Sequence, residues 1–153
     1  MITDAGLARP RSVLEVVTSA LSAGAPAIQL RNKGDAPRQL LELGRALRRA
    51  TRDTGALLFV NDRLDLALAV EADGVHLGPD DLPVAAVRRV APPGFLIGRS
   101  ADDPEVARTA VADGADYIGC GTVYATSTKR DAGEVIGLAG LRRVVEAVEV
   151  PVV

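Results

Sequence analysis

A chain of 153 residues with 48% hydrophobic content carries enough apolar material for one packed domain. Its 18 basic and 20 acidic residues leave a net charge of −2 and a pI near 5.4, so no overall positive field draws it to a polyanion, and nucleic acid is not an expected partner. The single cysteine, Cys120, excludes an internal disulfide framework, and no apolar run approaches the roughly 20 residues of a spanning helix. With no signal-peptide pattern at the start, the expected compartment is the cytoplasm.

In chain order, residues 1–4 read as the tail of a strand and 11–23 as a helix closed by Gly24. A strand follows at 27–31. Asp35 is then a good N-cap for a helix whose Leu40, Leu41, Leu43, Leu47 and Ala50 share one face and which stops near Gly55. Strands at 56–60 and 74–77 flank a helix over 63–70. After the strand at 95–98, Asp102 or Asp103 opens a helix with Pro104 in its first turn, Ala107, Ala110 and Val111 as its buried stripe, and Gly114 as its end. A strand at 116–119, a helix over 138–148 and the start of a strand at 150–153 complete seven strands and, with the helical segment from Pro83 between the strands at 74–77 and 95–98, six helices. This alternation is the mark of βα units on a parallel sheet. Of its two common forms, the dinucleotide version of the open sheet lacks a Gly-x-Gly-x-x-Gly after the first strand, and a closed barrel collects polar residues at many strand ends.

Polar residues do fall there. Gln29, Arg31 and Lys33 attend the first full strand, Asn61 and Asp62 the second, and Gly78, Asp80 and Asp81 the third. Ser100 follows the fourth, and Thr126, Ser127, Thr128 and Lys129 follow the fifth. Each has an ordinary explanation when taken alone: Asp62 as a cap for the helix over 63–70, Asp81 as a cap before Pro83, the hydroxyls as loop residues. Recurrence at five strands is harder to dismiss. Arg31, Lys33 and Lys129 can grip phosphate oxygens, and two carboxylates beside three cations suit a Mg²⁺-bound diphosphate. His76 and Cys120 have no partners for a nucleophilic pair and are read as structural residues in apolar strands.

Five sequence words carry a resemblance: Gln29-Leu30-Arg31-Asn32-Lys33, Val60-Asn61-Asp62-Arg63, Gly74-Val75-His76-Leu77-Gly78-Pro79-Asp80-Asp81, Asp116-Tyr117-Ile118-Gly119 and Thr126-Ser127-Thr128-Lys129. In order and spacing they resemble the thiamine phosphate synthase family along the whole chain. The resemblance implies a (β/α)8 TIM barrel, incomplete here and running from the end of strand 1 to the start of strand 7 as a single partial domain. It also implies a transferase that joins 4-amino-2-methyl-5-(diphosphooxymethyl)pyrimidine to thiazole phosphate, giving thiamine phosphate and diphosphate. Gln29, Arg31, Lys33, Asn61, Ser100 and Lys129 would contact the pyrimidine diphosphate, with Arg31, Lys33 and Lys129 assisting catalysis. Asp62 and Asp81 would hold Mg²⁺. Thr126 and Thr128 would meet the thiazole phosphate, with Ser127 in the same substrate-binding loop. In such enzymes the diphosphate leaves first, and the thiazole nitrogen captures the resulting pyrimidine methylene cation.

A sister group, the TenI-like thiazole tautomerases, shares the barrel but tends to lose the metal and diphosphate set; an inactive relative that only binds the pyrimidine diphosphate is a further alternative. Both Asp and both Lys are present here, which favours the synthase. Two departures stand out. The segment Arg99-Ser100-Ala101 differs from its usual counterpart, and relatives continue past Pro151 with a Gly-rich phosphate loop and an eighth strand. The corresponding expectation is an incomplete thiazole phosphate site and exposed strand edges that a second copy of the chain would cover.

Overall fold

The computed structural model describes residues 1–31, 34, 36–126 and 133–153. Lys33, Ser127, Thr128 and Lys129, all expected at the site, and Asp35, the expected helix cap, lie outside the described residues.

The elements alternate as α1 (Ala5–Ala8), α2 (Val13–Ser22), β1 (Ala27–Leu30), α3 (Pro37–Thr54), β2 (Leu57–Asn61) and α4 (Leu64–Ala69). They continue with β3 (Gly74–Leu77), α5 (Val84–Val90), β4 (Leu96–Ser100), α6 (Pro104–Ala112), β5 (Tyr117–Gly119) and α7 (Gly137–Val145). The strands follow one another as β1-β2-β3-β4-β5, with β1 parallel to β2 and β4 parallel to β5. The α/β class is therefore as expected; among the described residues the sheet is open, and the incomplete barrel that the resemblance implies is not shown by it. The outermost expected strands are reduced to single parallel bridges, Ile2 with Gln29 and Ile118 with Val152. Backbone hydrogen bonds tie Met1 and Thr3 to Gln29, and Pro151 and Val153 to Ile118, without extending either segment beyond one bridge.

The chain divides into two compact units, Met1–Val75 and His76–Val153. In the first, Ser12 caps α2 through a capping box: its Oγ accepts from the Glu15 amide at 3.2 Å, and Glu15 Oε2 accepts from the Ser12 amide at 2.7 Å. α3 opens instead on Ala36, with Pro37 in the first turn, and ends where Gly55 takes the left-handed region at φ 71°. Its fully buried stripe is Leu40, Gly44, Leu47 and Thr51, so Leu41, Leu43 and Ala50 flank the core and do not form it. A glycine belongs in that stripe because a Cβ at Gly44 would lie 2.9 Å from Val70 Cγ1 and 3.4 Å from Leu30 Cδ2. In the second unit, Asp103 resolves the choice of cap for α6 by accepting from the Glu105 amide at 2.8 Å, with Pro104 next.

One device occurs in each unit. Asp73, just before β3, accepts from the Leu58 amide and from Arg48 Nη1 of α3 on the same oxygen, Oδ2, each at 2.6 Å, and returns its own amide to Leu58 O at 2.8 Å. Asp116, just before β5, does the same with Ile97: its Oδ2 accepts from the Ile97 amide at 2.7 Å and Arg88 Nη2 at 2.5 Å, and its amide donates to Ile97 O at 2.8 Å. Arg88 of α5 also donates Nη1 to Phe95 O at 2.7 Å and Nη2 to Gly114 O at 2.6 Å. Each carboxylate thus locks strand register and fastens a helix at the start of the strand. Opposite it, the helix-facing positions Leu58, Val75, Leu77, Ile97 and Ile118 are fully buried.

Asp73→Ala would leave the Arg48 guanidinium, 11% exposed, and the Leu58 amide without their acceptor. We expect it to lower unfolding stability by about 3 kcal/mol in urea titrations. Glu42→Ala, which breaks a solvent-exposed pair with Arg38, should change it by no more than about 0.5 kcal/mol. Equal losses from the two would mean that Asp73 is not a fastening point.

Candidate active site

The C-terminal strand ends of the first unit carry Gln29, Arg31, Asn61 and Asp62. Arg31 follows β1 directly, and its backbone is fixed by Thr3, a 1%-exposed residue. The Thr3 hydroxyl accepts from the Arg31 amide at 2.9 Å and donates to Arg31 O at 3.2 Å. Gln29 is held on its other side by the amino-terminal segment, its amide donating to Met1 O at 2.8 Å and its carbonyl accepting from Thr3 at 2.9 Å. Thr3 went unnoticed in the sequence because a lone threonine near a terminus carries no periodic signal.

Asp62 is not the helix cap that its position allowed. α4 starts after Arg63 without any side-chain cap, and Arg63 pairs instead with Asp65. A hydrogen bond of 2.7 Å from the Arg63 amide to Asn61 O closes a three-residue turn around Asp62, whose φ is 65°. A non-glycine residue at that φ is strained by roughly 1–3 kcal/mol, and such strain collects where a side chain must be aimed. Asp62 is half-buried at the end of β2.

In the second unit, Asp81 does not cap α5 either, whose N-cap is Pro83. Its Oδ2 accepts from the Gly78 amide at 2.6 Å, and its amide donates to Gly78 O at 3.2 Å, closing the turn that follows β3. Ser100 ends β4, within the strand and not beyond it. Thr126 is exposed in the segment after β5, whose base is closed by the Ile136 amide on Thr122 O at 2.9 Å.

His76 is more than an apolar-strand filler. Its Nδ1 lies 3.0 Å from the Tyr117 hydroxyl and its Nε2 lies 3.0 Å from Ser100 Oγ, so one imidazole joins side chains of β3, β4 and β5. Strand alternation puts these three on the same sheet face, away from Val75, Ile97 and Ile118. Two glycines make the room. A Cβ at Gly98 would fall 2.0 Å from Tyr117 Cζ, and one at Gly119 would fall 2.7 Å from His76 Cε1. Burial pushes the Tyr117 phenol up to about 12, so it is a neutral hydrogen-bonding group at physiological pH. Cys120 lies just beyond β5, and burial, then the nearby Asp102 carboxylate, push its thiol up, which disfavours the thiolate. Among the described residues no three of His, Cys, Asp and Glu cluster as a metal site, and no helix is long and apolar enough to cross a membrane.

The model of the family described as thiamine monophosphate synthase matches residues 1–153. The chain belongs to that family. It is 54% identical over 143 residues to a thiamine-phosphate synthase of Moorella thermoacetica, a match covering 94% of this chain and 68% of that one. It is 51% identical to the same-named protein of Methanoregula boonei, over all of this chain and 71% of the other. The solved structure of a thiamine phosphate pyrophosphorylase from Pyrococcus furiosus superposes with a TM-score of 0.86 at 44% identity, over 99% of this chain and 71% of that chain.

The polar layer can be tested by its titration. The difference in phenolate absorbance between the parent chain and Tyr117→Phe should show a midpoint near 12. Between the ordinary tyrosine value of about 10 and that midpoint, the folded state keeps a proton that the unfolded state has lost, so this contribution to stability is complete below pH of about 10 and fades as pH rises through 12. Gly98→Ala, which forces the ring out, should bring the midpoint down toward that of free tyrosine. A parent midpoint near the free value would contradict the buried layer.

Proposed function

We propose that this chain forms thiamine phosphate, the product its relatives are named for, from the aminopyrimidine diphosphate and thiazole phosphate, releasing diphosphate. One observation supports the reading above the others: Asp62 and Asp81 each follow a strand, and neither is spent on a helix cap. Asp62 is held at a costly φ, and Asp81 keeps Oδ1 clear of the bond to Gly78. Hard carboxylate oxygens, half-exposed and few, fit Mg²⁺, which takes one or two carboxylates and completes its shell with waters and phosphate oxygens. When bound, it would neutralise charge gathering on the departing diphosphate.

The remaining roles divide by chemistry. Arg31 offers a planar fork to diphosphate oxygens, and Lys33 and Lys129 offer point charges. Gln29, Asn61 and Ser100 supply polar contacts to the pyrimidine, and Thr126, Ser127 and Thr128 supply hydroxyls for the thiazole phosphate. The attacking ring nitrogen is neutral and needs no general base, which agrees with a site rich in cations and poor in catalytic bases. In this reading the open sheet is part of a (β/α)8 barrel, with residues 1–153 as one partial barrel domain.

Asp62→Gly is the informative variant, because glycine accepts φ 65° and deletes only the carboxylate. With both substrates and Mg²⁺, thiamine phosphate formation should disappear in Asp62→Gly while the protein still folds, as read by its unfolding transition. Unchanged turnover would remove the metal role. Lys129→Met should slow turnover on the order of 10²-fold or more. A lower melting temperature with intact turnover would make Lys129 a structural residue instead.

A further inference from the structure

Arg99 and Ser100 are neighbours on β4, and strand alternation sends their side chains to opposite faces. Ser100 meets His76 on one face. Arg99 turns the other way, donating Nη1 to the carbonyl oxygen of Gly78 and Nη2 to that of Pro79, the latter at 3.1 Å. These two carbonyls belong to the turn that Asp81 closes. Gly78 is its hinge: its oxygen accepts from both Arg99 and the Asp81 amide, and its own amide holds Asp81 Oδ2 at 2.6 Å. The guanidinium fork therefore fixes the peptide that fixes the carboxylate.

We propose that Arg99 is a positioning residue, which holds the 78–81 turn from behind and thereby sets how tightly Asp81 binds Mg²⁺-diphosphate. The proposal rests on the metal role given to Asp81 above. Its physical basis is pre-organisation. Asp81 Oδ2 is tied to the Gly78 amide, leaving Oδ1 to face a cation, and a turn free to rotate would lose that aim. Partners that orient a ligand in this way typically change metal affinity by roughly 10–100-fold when removed. A lysine, with a point charge in place of a planar fork, can satisfy one of the two carbonyls at a time.

The test is calorimetric titration of the full chain with Mg²⁺ in the presence of inorganic diphosphate, comparing the parent with Arg99→Leu, Arg99→Lys and Asp81→Ala, alongside amide hydrogen exchange at Gly78 and Asp81. Arg99→Leu should weaken Mg²⁺ roughly tenfold and speed exchange at both amides, with Arg99→Lys between it and the parent. If Asp81→Ala abolishes Mg²⁺ binding while Arg99→Leu leaves it unchanged, the proposal is overturned and the metal role stands. A purely structural Arg99 would lower the melting temperature without moving the Mg²⁺ affinity of the folded protein, and that result also overturns it. Binding absent from the parent, or surviving in Asp81→Ala, removes the metal role and this proposal with it. Should Arg99→Leu fail to fold, Arg99→Lys decides, with parent affinity counting against the brace and weakened affinity for it.

Discussion

In each unit a carboxylate oxygen placed just before a strand accepts two hydrogen bonds, one from a backbone amide of the preceding strand and one from a helix arginine. Parallel strands have no hairpin to set their register, so something outside the ladder must do it. Asp73 and Asp116 do so by pairing both their backbone and side chain with a single residue, Leu58 or Ile97. The arginines add the third dimension, because Arg48 and Arg88 reach the same oxygens from α3 and α5. Ile97 and Leu58 are themselves fully buried, so a one-residue slip would turn the core-facing side chains outward as well as breaking the carboxylate pair.

Fastening each unit at the strand starts leaves the opposite ends able to carry groups whose placement serves a local turn or costs backbone strain. Asp62 occupies a φ that disfavours folding, and Asp81 spends a carboxylate on a surface turn. Both would be liabilities in a chain that relied on its strand ends for cohesion.

The alternation of strands and helices was legible because buried apolar runs, Gly stops and Asp or Pro starts are local signals. Strand β3 at Gly74–Leu77, the Asp103-Pro104 start of α6 and the Gly55 end of α3 all fall where those signals put them. Boundaries drifted at β2 and β4, which extend to Asn61 and Ser100, because polar residues that look like loop continue the ladder. Sheet closure was not legible from local signals at all. For the site, residue types at strand ends were readable, but partnerships between distant side chains were not. Nothing in sequence spacing joins His76 to Ser100 and Tyr117, Thr3 to Arg31, or Arg99 to Gly78.

The His76 layer shows why such partnerships escape sequence reading. It depends on what is missing at two positions: side chains at Gly98 and Gly119. Both lie in strands, where glycine is ordinarily a weakness that costs packing and backbone entropy. That loss is offset here by admitting an imidazole and a phenol, each large and each with a polar atom that needs a partner. The partners come from within the layer, since His76 presents one ring nitrogen to each hydroxyl. A neutral imidazole has one donor and one acceptor, so if Tyr117 donates to Nδ1, Nε2 must donate to Ser100 and leave the serine proton to point elsewhere. The opposite tautomer reverses both bonds and makes Ser100 donate inward, leaving its lone pairs outward. The ring thus links the donor or acceptor character of the Tyr117 hydroxyl on β5 to that of the Ser100 hydroxyl at the end of β4.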